Sequence, residues 1–147
     1  MNIFTEITAN PLDVEAMTRI AARPEFGAVL VFTGIVRNHH NNKSVVAVTY
    51  DAHPSLAQGV LKQICSEAST RFGSQSALAV AHRTGRVELS EASVVIAVGS
   101  PHRDEAYEIS RYILEEIKTR LPVWKKEHYE NGDSEWLPGH SLNSKAR

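Results

Sequence analysis

The stretch Ser93-Val94-Val95-Ile96-Ala97-Val98-Gly99-Ser100-Pro101-His102-Arg103 carries the fold decision. Seven β-prone, apolar or small residues form a strand, and Ser100-Pro101 then reads as an N-cap followed by Pro at the first helical position. The helix continues to about Leu121 on an apolar stripe of Ala106, Ile109, Ile113 and Ile117, and Pro122 stops it. The same alternation of strand and helix recurs on both sides. Upstream, Pro54 to about Phe72 is a helix with Leu56, Val60, Leu61, Ile64, Cys65 and Ala68 on one side and Gly73 after it. Ala77–Arg83 is a strand, and 85–91 reads as a turn region. Downstream, Val123–Glu130 and Ser134–Leu137 flank Asn131-Gly132, a strong hairpin signal. Toward the N-terminus, Asn10-Pro11 opens a short amphipathic helix that ends before Pro24. Gly27–Val36 and Val45–Asp51 read as two strands paired antiparallel through the polar loop 38–44. Strand pairs alternating with helices, without repeated βαβ units, predict an α+β layer structure.

The chain has 147 residues, a length that suits one domain. Residues 1–137 are expected to form it and 138–147 a loose tail. Hydrophobic residues are 42% and charged residues 22%, which argues for a packed core rather than disorder. Cys65 is the single cysteine, so an internal disulfide and a cysteine-built zinc site are excluded and a reducing cytosol is expected. His39, His40, His53, His128 and His140 lack metal-ligand spacing, so no metal site is expected. The first nine residues show no signal-peptide pattern, and the apolar runs are too short to span a bilayer.

Sixteen Lys and Arg against 17 Asp and Glu give a net charge of −1, which disfavours a non-specific nucleic-acid binder. That balance hides segregation. Phe26–Tyr50 has no acid but contains Arg37 and Lys43; Ala92–Arg103 ends in His102-Arg103; Ile117–Lys126 holds Lys118, Arg120, Lys125 and Lys126. Three acid-free segments at element ends can converge on one pocket for a small anion. His102 and Arg103 in a first helical turn oppose the macrodipole, while the free N–H groups there suit a phosphate. The plain alternative is Arg103 paired with Glu105 and a solvated His102. Lys118 and Lys125 are candidates for acid–base work, against the reading of two ordinary surface lysines. Strand alternation sets Lys125 on the face opposite Trp124 and Lys126. His82-Arg83 reads as a structural turn, and Cys65 as packing.

Four segments together form a familiar set: Phe32-Thr33-Gly34-Ile35-Val36-Arg37-Asn38-His39, His82-Arg83-Thr84-Gly85, Ser100-Pro101-His102-Arg103, and Lys118 through Glu127 with its Lys-x-x-x-Pro-x-Trp-Lys-x-Glu pattern. In order and spacing the chain resembles the large, catalytic subunit of molybdopterin synthase, the MoaE family, over roughly Phe26 to Trp136. The resemblance implies an α/β hammerhead-type fold with an added antiparallel β subdomain. It implies a sulfurtransferase that converts cyclic pyranopterin monophosphate into molybdopterin, with no resident cofactor. Both sulfurs arrive as thiocarboxylates on the C-terminal Gly-Gly tail of a small ubiquitin-like sulfur-carrier subunit. Lys118 and Lys125 are then the catalytic candidates. His102 and Arg103 would bind the phosphate, Arg37 with the Ile35 and Val36 backbone would complete the substrate site, and Lys126 and Glu127 would line it. The resemblance further implies a homodimer at the centre of a heterotetramer, with pockets built from both central chains. The competing classes are a small RNA-binding or phosphate-ligand module and a non-catalytic paralogue. Scarce aromatics, at 7%, count against the first, and the intact lysine pair counts against the second.

Overall fold

Strand Ala77–Arg83 shows how the layers are arranged. Its side chains alternate Ala79 and Ala81 on one face with Leu78 and Val80 on the other, all buried. Both faces of that strand are therefore covered, the small side by a close-packed helix and the large side by a deeper core. The computed structural model describes residues 2–137 and bears this out.

In chain order the elements are β1 (Asn2–Thr8), α1 (Val14–Ala21), β2 (Ala28–Ile35), β3 (His39–His40), β4 (Lys43–Ala52), α2 (Pro54–Phe72), β5 (Ala77–Arg83), β6 (Gly85–Glu88), β7 (Ala92–Ser100), α3 (Arg103–Arg120), β8 (Val123–Tyr129) and β9 (Ser134–Trp136). One sheet has the order β1-β5-β7-β2, with β1 parallel to β5 and the other pairs antiparallel. The second sheet runs β3-β4-β8-β9, and β6 also pairs with β4. The architecture is the expected α+β one, with the antiparallel second sheet as the added subdomain.

Helices α2 and α3 cover one face of the first sheet. Leu61 and Ile64 of α2 and Ile109, Ile113 and Ile117 of α3 share a buried cluster with Leu78, Val80, Ile96 and Val98. Val48, Tyr50 and Val123 of the second sheet join the same cluster, so the two sheets share one core. Helix α1 lies on the other face, where Met17 and Ala21 pack on Ala79, Ala81, Val95 and Ala97. The small residues let the helix backbone approach. At Gly99 a Cβ would lie 1.7 Å from the Ala21 carbonyl oxygen, so only glycine fits.

Several expectations are corrected. β2 does not pair with β4: it forms the edge of the first sheet against β7, while β4 pairs with β8 and β6. A local loop suggests a hairpin, but apolar complementarity with β7 over eight residue pairs outweighs proximity in sequence. The loop 38–44 is itself a tight hairpin, β3 to β4. Asn41 and Asn42 take positive φ of 51° and 65°, the left-handed conformation that two-residue hairpin turns require. The turn region 85–91 contains strand β6, and β1 is an additional strand. α1 is capped by Asp13, whose Oδ1 accepts from the Ala16 N–H at 3.0 Å, rather than by Asn10. Ser100 remains in β7 and His102 occupies the N-cap of α3. The predicted tail 138–147, with His140, lies outside the described residues. Among the described residues no helix is long and apolar enough to cross a membrane.

Candidate active site

The connection from α3 to β8 positions two lysines. Leu121 and Val123 flank Pro122 and are both fully buried, so they anchor the chain reversal in the core. Lys118, in the last turn of α3, and Lys125, the third residue of β8, then face one cavity. Its volume is about 350 Å³. From the end of β2, Ile35, Val36 and Arg37 reach the same space, and from β8 Glu127 does. Arg37, Lys118 and Lys125 thus line one cavity with a single carboxylate, Glu127, an excess of positive charge that attracts a compact anion. Alternation along β8 sends Lys125 and Glu127 inward. It turns Lys126 away, and Lys126 sits over the Trp136 ring, 5.6 Å from its centroid. Lys126 is not among the residues that line this cavity within one chain.

His102 and Arg103 are not in this cavity either. They stand exposed at the other end of α3. Fifteen helical steps separate Arg103 from Lys118, about 22 Å at 1.5 Å per residue. The three acid-free segments therefore do not converge within one chain. Among the described residues Arg103 makes no ion pair with Glu105 or any other acid, and His102 makes no side-chain capping bond.

The cavity wall also holds residues that sequence reasoning passed over: Phe32, His40, Tyr50, His82, Ser93 and Leu114. His82 is 2% exposed, and its Nδ1–H donates to the Arg83 carbonyl at 2.9 Å. Its ring meets that of Tyr50 edge to face, 5.1 Å between centroids. Burial pushes the His82 pKa down to about 4; the Lys125 charge lowers it further while the Arg83 hydrogen bond opposes the fall. Burial likewise raises the Tyr50 phenol. The sequence does hold a signal for His82: two residues past Val80, it shares the core-facing side of β5. Glu127 is 4% exposed and shares one oxygen between Tyr129 Oη and His40 Nδ1, each at 2.9 Å. Thr49 Oγ1 and His128 Nε2 lie 2.7 Å apart on neighbouring strands, a structural tie. Cys65 is buried, and burial pushes its thiol up to about 12, so it is no nucleophile. Among the described residues no three His, Cys, Asp or Glu are grouped to hold a metal.

Residues 7–120 match the family model described as MoaE protein. The chain belongs to the MoaE family. It is 39% identical over 142 residues to the molybdopterin synthase catalytic subunit of Synechococcus elongatus, covering 97% of this chain and 86% of that protein. The crystal structure of molybdopterin synthase from Staphylococcus aureus superposes with a TM-score of 0.85 at 35% identity, over 91% of this chain and 96% of that one. The fold extends to a complex of subunits 1 and 2 of molybdopterin-converting factor from Helicobacter pylori, with a TM-score of 0.72 at 22% identity over 99% and 92% of the two chains. The MoaE motifs therefore map onto two places in the fold. The Phe32–His39 and Lys118–Glu127 segments build the cavity, and Ser100–Arg103 lies at the far end of α3.

Proposed function

We propose that this MoaE-family chain is the catalytic subunit of a molybdopterin synthase and that the cavity is its sulfur-transfer site. The observation that carries the reading is the meeting of Arg37 from the segment after β2, Lys118 from α3 and Lys125 from β8 in one cavity of about 350 Å³. The names of the relatives from Synechococcus and Staphylococcus support the reaction. The two-subunit complex from Helicobacter supports a small partner protein.

The substrate is cyclic pyranopterin monophosphate, an anion that Arg37 and Lys125 suit by charge. The sulfur donor is a thiocarboxylate at the C-terminal Gly-Gly of the small ubiquitin-like subunit. A tail without side chains can enter a space this size. The thiocarboxylate sulfur bonds to a pterin side-chain carbon as a carbon–oxygen bond at that carbon breaks, the electron pair leaving on oxygen, and the product is a thioester between the two molecules. Lys118 stabilises the negative charge that moves between sulfur and acyl oxygen, and Lys125 holds the pterin side. Two rounds give the dithiolene of molybdopterin. No resident cofactor enters the reaction, and the donor sulfur leaves Cys65 a packing role. A cytoplasmic location belongs to this reading, with reduced sulfur in use.

His102 and Arg103, about 22 Å from Lys118 along α3, serve the cavity of a second copy of the chain by binding the substrate phosphate. That requires the homodimer at the centre of a heterotetramer. The test of the reading is Lys118→Ala, assayed with thiocarboxylated partner and pterin substrate. Dithiolene formation is expected to fall by about 10²–10⁴-fold, the usual worth of such a group, with an unchanged melting temperature because Lys118 is exposed. Full turnover in that variant overturns the assignment.

A further inference from the structure

The same cavity is lined by a second set of reactive groups, His40 and Glu127. His40 closes the β3–β4 hairpin, and the two left-handed asparagines that follow hold it against the sheet. Its Nδ1 lies 2.9 Å from Glu127 Oε1, with the side chains only 11% and 6% exposed. Tyr129 Oη donates to the same carboxylate oxygen at 2.9 Å and also reaches Glu135 Oε1 at 3.2 Å. Burial and the two carboxylates raise the Tyr129 pKa, so the phenol keeps its proton and remains a donor. An ionised carboxylate only accepts, so the proton on the facing imidazole nitrogen is fixed at Nδ1. The other nitrogen, Nε2, is then the basic one. This is the carboxylate–imidazole logic of hydrolase triads, here beside Lys118 and Lys125.

Sulfur transfer needs such a base. Once the thiocarboxylate sulfur has bonded to the pterin carbon, the small partner remains attached through the acyl–sulfur bond. Only cleavage of that bond leaves sulfur on the pterin. We propose that His40 is the general base that activates water for this cleavage, with Glu127 and Tyr129 as the residues that position it. The proposal rests on the sulfur-transfer reading of the same cavity. Water oxygen bonds to the acyl carbon while His40 Nε2 takes one proton. The carbon–sulfur bond then breaks, and its electron pair stays on sulfur as a pterin thiolate. The partner leaves as a carboxylic acid that loses its proton to solvent. Water is the one co-reactant, and no redox change occurs.

The experiment is a single turnover of the full chain with thiocarboxylated partner and cyclic pyranopterin monophosphate, quenched and followed by intact-mass spectrometry. The wild-type chain is expected to show the partner–pterin thioester only transiently. His40→Gln keeps a side-chain donor for Glu127 but has no base; His40→Ala removes both. In both variants thiocarboxylate is expected to be consumed at the wild-type rate while the thioester persists, its release about 10²–10⁴-fold slower. Added imidazole should restore part of the release in His40→Ala. Release at the wild-type rate in both variants, or equal slowing of consumption and release, overturns the assignment. A variant that fails to fold shows itself by lost consumption as well as an altered melting curve, and the other variant then decides. A wild-type chain that yields neither thioester nor dithiolene overturns the sulfur-transfer reading, and this proposal falls with it.

Discussion

His82 makes a pH-dependent contribution to stability whose size follows from its surroundings. The ring is 2% exposed, its Nδ1–H is committed to the Arg83 carbonyl, and its pKa is pushed down to about 4 by burial and then by Lys125. The unfolded chain returns it to the ordinary value of 6.5. Between those two values the unfolded state binds the proton and the folded state refuses it, so stability rises with pH across that window. The full contribution is present above 6.5, shrinks as pH falls, and stops changing near 4, where the folded imidazole also protonates. At 1.36 kcal/mol per pKa unit, the whole window is worth about 3 kcal/mol, of which about 2 kcal/mol is lost between pH 7 and pH 5. Urea unfolding of the wild-type chain and of His82→Asn at pH 7, 6 and 5 isolates the effect, since the other histidines are common to both. The wild-type chain is expected to lose about 2 kcal/mol more than the variant over that range. Equal slopes, or a His82 imidazole resonance, assigned by its absence from His82→Asn, that titrates near 6.5 in the folded chain, would refute the reasoning.

Two further outcomes follow from geometry. Gly99→Ala sets a Cβ 1.7 Å from the Ala21 carbonyl oxygen, a backbone atom that moves only if α1 moves. It is expected to cost about 3 kcal/mol or more in urea unfolding, whereas Gly59→Ala, with nothing within 4 Å of its Cβ, gains about 0.4–1 kcal/mol. If His102 and Arg103 complete a neighbour's cavity, Lys118→Ala and Arg103→Ala chains, each inactive alone, regain activity when unfolded and refolded together. One intact cavity forms in each mixed dimer, and no recovery would show that both residues serve the same chain.

The elements that were legible from the sequence are those decided by their own periodicity. Helices α2 and α3, strands β5 and β7 and the β8–β9 hairpin each carry an apolar period or a turn dipeptide. What was not legible is long-range pairing. β1 reads Asn-Ile-Phe-Thr-Glu-Ile-Thr, half polar, and its place depends on a parallel partner 75 residues away, Asn2 against Ala77. The polar loop after β2 suggests pairing with β4, yet its neighbour is β7. The site divides in the same way. Lys118, Lys125, Arg37 and Glu127 were found by motif and face, and alternation had already separated Lys125 from Lys126. His40 lacks metal-ligand spacing and His82-Arg83 reads as a turn, so neither points to the cavity from sequence alone. Their roles emerge only when β3, β5 and β8 are seen to end at one cavity.

That cavity lies where the shared core runs out, and the sequence of β5 accounts for its position. Leu78 and Val80 carry the core face along the strand, and the next residue on that face is His82. Tyr50 does the same on β4 after Val48, and on β8 the face that begins at Val123 continues through Lys125 to the buried Glu127. Each strand thus carries a buried polar group on its core side. Buried polar groups without partners would be costly, so each is tied: His82 to a carbonyl, Glu127 to His40 and Tyr129. The cations then stand at the mouth, where Lys118 keeps contact with water. A layer of fixed polar groups beneath a layer of charged ones is what a site needs to hold an anion and a reacting acyl group in separate places.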